Sequence, residues 1–254
     1  MRQAPVMISP LRAIAPARLA RLRVILTDID GTITRDGKIT AEMIAGSSQL
    51  AAAGVEILPV TGRSAGEALG LARYIPAFRR AIAENGGVLV VPDQPLYFLR
   101  PPVDRDRLAA AAAELGHGQW MPAPCSAFRL TDQAWERADQ PSEKLADARV
   151  RAEAMGLHLT WSSVHIHLTE LPPDKGAGAL RVLGNNLIDP QDALAIGDAP
   201  NDEGLWERER FGVTVGTAEV VQCWSQLRHR PEFVVGSAAT GWLEMAAQVR
   251  AAKG

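Results

Sequence analysis

The sequence predicts an α/β protein, a parallel-sheet core interrupted by a smaller inserted α+β domain. Apolar strand-like runs alternate with helix-like segments along residues 23–87, and this alternation returns along residues 172–254. Such alternation is typical of a parallel sheet with helical crossovers. Residues 88–171 instead carry short strand-like runs and two helical segments. That pattern is typical of an antiparallel sheet with helices on one face, and it predicts the insertion.

Composition narrows the functional classes. The chain has 254 residues and a net charge of −2, so it lacks the basic surplus of a nucleic-acid-binding protein or of a protein bound to anionic membranes. We therefore expect the chain to bind neither nucleic acid nor a membrane. The chain has two cysteines, Cys125 and Cys223, which lie far apart in the sequence and have no metal-ligand spacing. A disulfide framework is therefore not expected, and a reducing cytoplasm is the predicted location. Residues 1–22 are interpreted as a flexible arm with a short helix around residues 17–21, and the oligomeric state stays open.

The first half of the core begins with an apolar strand at residues 24–27. A helix is predicted over residues 40–53, with Thr40 as its N-cap and Gly54 just beyond its end. A second strand follows at residues 55–60. Ser64 and Glu67 then match a capping box, which predicts a helix running to about residue 74.

The insertion and the second half of the core follow the same reasoning. Within the insertion we predict strands at residues 88–91, 96–99, 125–131, 157–162 and 164–169, and helices at residues 104–115 and 141–155. In the returning core we predict helices at residues 175–183, 200–208 and 241–252, and strands at residues 193–196, 212–215 and 233–235. Asp174 is the expected N-cap of the first of these helices, and Gly184 is its expected stop.

Four polar segments carry the candidate chemistry. They are Asp28-Ile29-Asp30-Gly31-Thr32, Thr61-Gly62-Arg63, Asp174-Lys175-Gly176 and Gly197-Asp198-Ala199-Pro200-Asn201-Asp202. Three of them follow predicted strands, and ligands of open parallel sheets bind beyond the carboxyl ends of the strands. The fourth brings a lysine to a helix N-terminus. We therefore expect all four to meet at one edge of the sheet.

The side chains in these segments suit a metal ion beside a phosphate. Asp28, Asp30 and Asp198 offer hard oxygen ligands of the kind that Mg²⁺ prefers. Thr61 supplies a hydroxyl before a helix N-terminus, which is a natural anion site, and Lys175 supplies a positive charge. This combination favours phosphoryl transfer, a reaction in which catalysis is mostly positioning and charge stabilisation.

The four segments, in this order, resemble the haloacid dehalogenase (HAD) superfamily of aspartate-nucleophile phosphatases. The Thr-Gly-Arg triplet, the Gly-Asp-x-x-Asn-Asp segment and the insertion between the second and third motifs resemble its class IIB cap branch. That branch includes Cof-like, sucrose-phosphate, mannosyl-3-phosphoglycerate and archaeal phosphoglycolate phosphatases. The resemblance implies a Rossmann-like core, a cap that determines substrate specificity, and hydrolysis of a small phosphorylated metabolite such as a sugar phosphate, phosphoglycerate or phosphoglycolate.

The resemblance also implies a role for each matching residue. Asp28 would be the nucleophile that forms a phosphoaspartate, and Asp30 would be the general acid and then the general base. The Asp28 carboxylate, the Asp30 carbonyl and Asp198 would hold Mg²⁺. The transferring phosphoryl group would be held by Thr61, Gly62 and Lys175, with Asn201 and Asp202 orienting Lys175 and the metal shell.

Other positions keep two interpretations. Arg63 is expected to brace an acidic neighbour such as Asp202. Asn85, before two glycines, either contacts substrate or serves a turn, because asparagine tolerates the left-handed conformation. His165 and His167 alternate along one strand, and we assign them to a face of the cap sheet because a metal site would need more ligands.

Alternative functions also remain open at this stage. The same core suits a phosphotransferase or mutase, and a ligand-binding module on a hydrolase-like scaffold is a rival from another class. A dehalogenase is disfavoured, because Asp30 and Asp198 provide for a metal that carbon–halogen displacement does not need.

Overall fold

The computed structural model describes residues 9–10, 13–162 and 164–254. Its strands are β1 Ser9–Pro10, β2 Val24–Thr27, β3 Glu56–Pro59, β4 Ala81–Ala83, β5 Val88–Val90, β6 Tyr97–Phe98, β7 Gln133–Glu136, β8 His158–Trp161, β9 His165–Thr169, β10 Ala193–Gly197, β11 Val213–Gly216 and β12 Phe233–Val234. Its α-helices are α1 Pro16–Ala20, α2 Ala41–Ala52, α3 Ala65–Tyr74, α4 Arg105–Leu115, α5 Ser142–Ala154, α6 Lys175–Asn185 and α7 Ala238–Lys253. Turns of 3₁₀ helix cover Pro124–Phe128, Pro190–Asp192, Pro200–Leu205 and Ala218–Gln226.

The core is a six-stranded parallel sheet with strand order β1-β12-β11-β10-β2-β3. In its register Thr27 lies opposite both Ile196 of β10 and Pro59 of β3. The carboxyl ends of β2, β3 and β10 therefore lie level at one edge. Side chains on one face pack against α1, α2 and α7, and those on the other face pack against α6 and the 3₁₀ turns that follow β10 and β11. The predicted α/β core is confirmed.

A small antiparallel sheet, β4-β5-β6, borders the core beyond β3. Ile82 of β4 forms a parallel bridge with Val60, and apolar side chains of β4 and β5 pack against α3. The sequence boundary placed at residue 88 falls inside this sheet, so β5 lies against the core.

The remaining sheet, β7-β9-β8, is antiparallel and carries α4 and α5. It is the α+β cap that the sequence predicts, and its own apolar core includes Leu108, Leu145 and Ile166. The predicted pairing of the two last cap strands is confirmed, with Trp161 opposite Ile166.

The strand predicted at residues 125–131 is wrong. Residues 124–128 form a 3₁₀ turn that starts at Pro124, and the strand lies later, at residues 133–136. Proline is favoured at the first position of a helical turn, and Ser126 fixes this turn by donating its hydroxyl to the carbonyl of Ala134. The apolar residues there were therefore misread as a strand.

Three smaller differences concern element types and ends. The helix predicted over residues 200–208 is a 3₁₀ turn that ends at Leu205, and α6 continues past Gly184 to Asn185. Residues 13–22 are not a flexible arm, because Leu19 and Leu22 are buried and Arg18 donates to the carbonyl of Gly212. The short helix predicted in that segment is present as α1, whereas residues 1–8, 11 and 12 lie outside the described residues.

Among the described residues, no helix has both the length and the apolar character needed to cross a bilayer.

Candidate active site

The fold brings the four polar segments to one edge of the sheet. Asp28 follows β2, Thr61 follows β3 and Asp198 follows β10, and these three strands are neighbours. The fourth segment opens α6, where Asp174 caps the helix by accepting from the N–H of Ala177 at 2.9 Å. Local signals at strand ends and at one helix start thus converge through the strand order.

A buried lysine joins two of the carboxylates. Lys175 Nζ lies 2.5 Å from Asp28 Oδ1 and 2.6 Å from Asp202 Oδ1, and its side chain is fully buried. The other oxygen of Asp202 accepts from the N–H groups of Asp198 (2.9 Å) and Ala199 (3.1 Å). Asp202 therefore fixes both Lys175 and the loop after β10, which agrees with its predicted orienting role.

Gly31 lets the loop after β2 close against Asp198. Its φ is +80°, and a Cβ at this position would lie 2.4 Å from Asp198 Oδ2. The next residue, Thr32, donates its hydroxyl to Asp198 Oδ1 at 3.1 Å. The glycine in this segment is thus required by both backbone conformation and space.

The cluster holds more negative than positive charge. Asp28, Asp198 and Asp202 have carboxylate oxygens within 4.8 Å of one another, all buried, and Lys175 is a cation bonded to two of them, Asp28 and Asp202. Burial raises the pKa of Asp28, and the charges of Asp202 and Asp30 reinforce this rise against the opposing effect of Lys175. Burial and the charges of Asp28 and Asp202 raise the pKa of Asp198 well above its usual range. Burial alone would lower the pKa of Lys175, but Asp202 and Asp28 raise it, so the ammonium stays charged.

Unbonded oxygens point to where a cation fits. Among the described residues, no donor bonds Oδ2 of Asp28 or Oδ2 of Asp198, whereas both oxygens of Asp202 are already used. The backbone carbonyl of Asp30 likewise accepts from no donor in the described chain. The geometric group of three therefore includes Asp202, but Asp28 and Asp198 have the available oxygens. This donor set fits Mg²⁺, which takes a few carboxylates and carbonyls.

Backbone donors lie beside these carboxylates. In the described part of the chain, the N–H groups of Ile29, Asp30 and Gly62 have no acceptor. Thr61 accepts from the N–H of Arg63 at 3.0 Å, so its own hydroxyl proton remains available. Such donors suit an anion with several oxygens.

Arg63 braces an acidic neighbour, as predicted, although this neighbour is Asp30 and not Asp202. Its guanidinium makes a bidentate pair with Asp30, at 2.6 and 2.7 Å, and also bonds Glu67 at 2.8 Å. Asp202 is instead committed to Lys175. Asp30 lies two residues after Asp28, and the Asp30 carboxylate is directed toward α3 by this fork, outside the buried carboxylate group.

Asn85 joins the core to the cap. Its φ is +52°, and both sides of its amide are used: Nδ2 donates to Asp132 at 3.2 Å and Oδ1 accepts from Asn201 at 3.1 Å. The turn role is therefore present in the structure. Asn201 donates to Asn85, and the Lys175 ammonium contacts that the described residues show are to Asp28 and Asp202.

Sequence reasoning missed a buried polar cluster in the cap. Asp132 accepts from Arg129 at 2.8 Å and pairs with His167 Nδ1 at 3.1 Å, and all three side chains are buried. Arg129 also donates to the carbonyl of Gly62 at 2.8 Å, which brings the cap onto the core segment. One signal was present in the sequence, because His165 and His167 alternate along a predicted strand. In the structure all five residues of this strand, β9, are buried.

A second missed residue, Glu84, secures the cap entrance. One oxygen accepts from the N–H of Ala65 at the start of α3, and the other accepts from the backbone and side chain of Thr131 and from Leu130. Each donor satisfies part of a buried carboxylate, so the start of α3 and the cap are fixed to the same side chain.

The assembled site can bind a cation and an oxyanion side by side. It places the Asp28 carboxylate, one oxygen of which has no donor in the described segments, next to a charged lysine and N–H groups that these segments leave without an acceptor. This arrangement matches the needs of phosphoryl transfer, in which fixed charges stabilise the transferring group.

Known proteins were compared once this geometry was established. A phosphoglycolate phosphatase of Methanothermobacter thermautotrophicus is 30% identical over 222 residues, which are 85% of this chain and 93% of that protein. A solved structure of Thermoplasma acidophilum 0175 superposes with a TM-score of 0.74 at 17% identity, covering 90% of this chain and 98% of its own. A solved HAD subclass IIB sugar phosphatase superposes with a TM-score of 0.66 at 14% identity, covering 87% and 96%. No protein-family model matches the chain.

The relative's identity and coverage establish common descent, and the solved structures share the fold of both core and cap. The expected resemblance is confirmed: this chain is a phosphatase and belongs to the capped HAD-superfamily phosphatases that include the phosphoglycolate phosphatase of M. thermautotrophicus.

Proposed function

We propose that this phosphatase is a Mg²⁺-dependent phosphomonoester hydrolase that acts through a phosphoaspartate on Asp28. The observation that carries the proposal is the buried group of three carboxylates with one lysine, in which Asp28 and Asp198 each keep an unbonded oxygen. Excess buried negative charge is costly unless a cation or protons balance it.

The residues that would hold Mg²⁺ are Asp28, Asp198 and the carbonyl of Asp30. When bound, the ion would neutralise charge on the transferring phosphoryl group and on Asp28. The raised pKa values of Asp28 and Asp198 support this role, since they reflect the unbalanced charge that a divalent cation would remove.

Asp28 is the proposed nucleophile. Its carboxylate attacks phosphorus, the bond from phosphorus to the leaving oxygen breaks, and the phosphoryl group is transferred to the Asp28 side chain. Lys175, the hydroxyl of Thr61 and the N–H of Gly62 hold the phosphoryl oxygens during this transfer. Water then attacks the phosphoaspartate, releases inorganic phosphate and regenerates Asp28.

Asp30 is the proposed general acid and base. It protonates the leaving oxygen in the first step and accepts a proton from the attacking water in the second. Its carboxylate is held by Arg63 in the present geometry, so Arg63 is assigned to positioning Asp30. Asp30 must rotate out of this fork to reach the leaving oxygen.

The proposed substrate is a small phosphorylated metabolite. The M. thermautotrophicus relative is named for phosphoglycolate, and the subclass IIB neighbour is described as a sugar phosphatase. Asp28, Asp198 and Lys175 are each at most 5% exposed, and the cap residue Arg129 bonds the carbonyl of Gly62 beside them, which favours a small ligand and exclusion of water.

We place the catalytic core at residues 23–87 and 172–254 and the cap between them. Because β5 and β6 extend the sheet beside α3, we propose that the moving part of the cap begins after residue 99 and not at residue 88. The free thiols of Cys125 and Cys223 support the cytoplasmic location proposed for the chain.

Asp28→Asn tests the mechanism. We expect the rate of p-nitrophenyl phosphate hydrolysis with Mg²⁺ to fall about 10⁴-fold or more, because the amide is a far weaker nucleophile. Asp36→Asn, an exposed position in the loop that follows, is the matched control and should keep wild-type activity. Wild-type turnover by Asp28→Asn, or undiminished activity in EDTA, would contradict the proposal.

A transferase is separated by product analysis. Hydrolysis in ¹⁸O-labelled water should place one label in each released inorganic phosphate. Phosphoryl transfer to an added sugar alcohol in place of phosphate release would indicate a phosphotransferase or mutase.

A further inference from the structure

The cap directs one unpartnered ring nitrogen at the core site. His167 is 1% exposed, and its Nε2 has no hydrogen-bond partner within the described residues. A Cβ built on Gly62 would lie 3.1 Å from this nitrogen. His167 Nε2 therefore lies against the backbone of the residue assigned to phosphate binding.

The hydrogen-bonding direction of the ring is determined by Asp132. This carboxylate accepts from Arg129 at 2.8 Å and from Asn85 at 3.2 Å, and His167 Nδ1 lies 3.1 Å away. Burial alone would raise the pKa of Asp132, but Arg129 and His167 hold it well below its usual range. An ionised carboxylate only accepts, so Nδ1 must carry the proton that joins them.

The other nitrogen is then an acceptor. Burial lowers the pKa of His167, and the charges of Arg129 and Lys175 lower it further against the opposing effect of Asp132. The neutral ring with its proton on Nδ1 presents a lone pair at Nε2. Asn85 Oδ1, also an acceptor, would lie 3.1 Å from the same Cβ position on Gly62.

We propose that His167 is a specificity-determining residue, whose Nε2 accepts a hydrogen bond from a hydroxyl group on the leaving group of the substrate. The proposal rests on the proposed function and refines its substrate class. Phosphomonoesters with a hydroxyl beside the phosphate-bearing carbon, such as phosphoglycerate or a sugar phosphate, satisfy the nitrogen. Phosphoglycolate has no donor for it.

A rival arrangement would use Arg129. Two of its nitrogens are occupied by Asp132 and the carbonyl of Gly62, while its buried Nε has no partner in the described chain. That N–H is the donor a substrate carboxylate would need. The test therefore has to separate recognition of a hydroxyl from recognition of a carboxylate.

The experiment compares two acids that differ only in the hydroxyl. Values of kcat/KM are measured with Mg²⁺ for 3-phosphoglycerate and for 3-phosphopropionate, the phosphate ester of 3-hydroxypropionate. 2-Phosphoglycolate is measured as well, as a phosphomonoester with a carboxylate and no hydroxyl. We expect the wild type to prefer 3-phosphoglycerate over 3-phosphopropionate by about 10- to 100-fold, because a buried acceptor left unpaired penalises the analogue. His167→Phe should reduce this ratio to about 1.

Two further variants guard against a purely structural effect. His167→Gln retains an acceptor oxygen and should keep part of the preference. His165→Phe is the matched control on β9, since its Nε2 lies 3.9 Å from Glu136 and not at Gly62, and it should leave the ratio unchanged. The ratio is internal to each variant, so a general loss of folded protein does not alter it.

The outcomes are distinct. A wild type that handles the matched pair equally, or a ratio that survives His167→Phe, overturns the proposal. Faster turnover of 2-phosphoglycolate than of 3-phosphoglycerate overturns it in favour of carboxylate binding at Arg129. Failure of the wild type to hydrolyse even p-nitrophenyl phosphate with Mg²⁺ defeats the proposed function itself, and this proposal with it.

Discussion

One buried cluster of charge lies in the core and another in the cap, and their charges are balanced in different ways. In the core, one lysine bonds two of three carboxylates, and Asp28 and Asp198 each keep an oxygen that no donor of the described residues bonds. In the cap, the carboxylate of Asp132 accepts hydrogen bonds from Arg129, Asn85 and His167. The core cluster needs something from solution to balance its charge, whereas the cap cluster is balanced by the chain itself. The core cluster is therefore suited to binding ions, and the cap cluster is suited to fixing the conformation of the cap.

Lys175→Met should lower both activity and stability, since it removes the cation that bonds Asp28 and Asp202. We expect hydrolysis of p-nitrophenyl phosphate to fall about 10³-fold or more and the free energy of unfolding to fall by about 3–5 kcal/mol without Mg²⁺. Activity assays and urea denaturation at pH 8 measure the two effects. Lys144→Met, an exposed change on α5, is the control.

Added Mg²⁺ should recover part of that stability, because a divalent cation can replace the missing charge. An equal loss with and without Mg²⁺ would mean that the core cluster does not depend on an ion.

Asp132→Asn probes the cap cluster in the same way. It leaves the buried Arg129 without its counter-charge, and we expect a loss of about 3–5 kcal/mol in the free energy of unfolding. Here Mg²⁺ should give no recovery, in contrast with Lys175→Met. Urea denaturation measures this loss. Asp139→Asn, a change at an exposed aspartate of the cap, is the control. Recovery by Mg²⁺ would remove the distinction between the clusters.

The stability of the metal-free protein should depend on pH through Asp28. Burial raises the pKa of Asp28 to about 7, so between about pH 4 and pH 7 the folded state holds a proton that the unfolded state has lost. Ionisation of this residue therefore destabilises the folded state progressively as the pH rises. Relative to the wild type, Asp28→Asn should gain about 1–4 kcal/mol between pH 5 and pH 8.

The buried histidines make the free energy of unfolding depend on pH in the opposite direction, because burial lowers their pKa values. Both proteins contain these histidines, so their contribution cancels when the wild type is compared with Asp28→Asn. Thermal unfolding in EDTA across this pH range provides the measurement. A constant difference between the two proteins would show that Asp28 is ionised throughout, and Mg²⁺ should abolish the trend.

Gly31→Ala should have the smallest effect on stability. Its positive φ costs an alanine about 1–2 kcal/mol, and the added Cβ would displace the Asp198 carboxylate. We expect Gly31→Ala to need a higher concentration of Mg²⁺ for half-maximal activity, which metal titration measures. Gly37→Ala, at φ +70° with open space around it, carries the backbone cost alone and should keep the wild-type requirement.

The two clusters also differ in how far the sequence reveals them. Asp28, Thr61 and Asp198 each follow an apolar run, and parallel strands align their ends, so local patterns were enough to predict their convergence. Arg129 lies within a segment misread as a strand, and Asp132 directly follows it. His167 approaches them through the antiparallel pairing of β7 with β9. Contacts made across a sheet of short strands depend on register, which local sequence patterns define weakly.

The partner of Arg63 illustrates the same limit. From the sequence we expected an acidic neighbour such as Asp202, and identifying Asp30 instead required the position of the first turn of α3. Glu67 of that turn holds the guanidinium on the side of Asp30. No pattern in the linear chain specifies that orientation.

The outermost strand of the parallel sheet comes from residues that precede the catalytic strand. Because β1 pairs with β12, it occupies the amide and carbonyl groups that β12 would otherwise expose along its rim. An expression clone shortened to begin at residue 13 would leave that rim open to a neighbouring molecule. We expect such a clone to self-associate and precipitate although every catalytic residue is intact, so the leading dozen residues should be retained in any preparation of the enzyme.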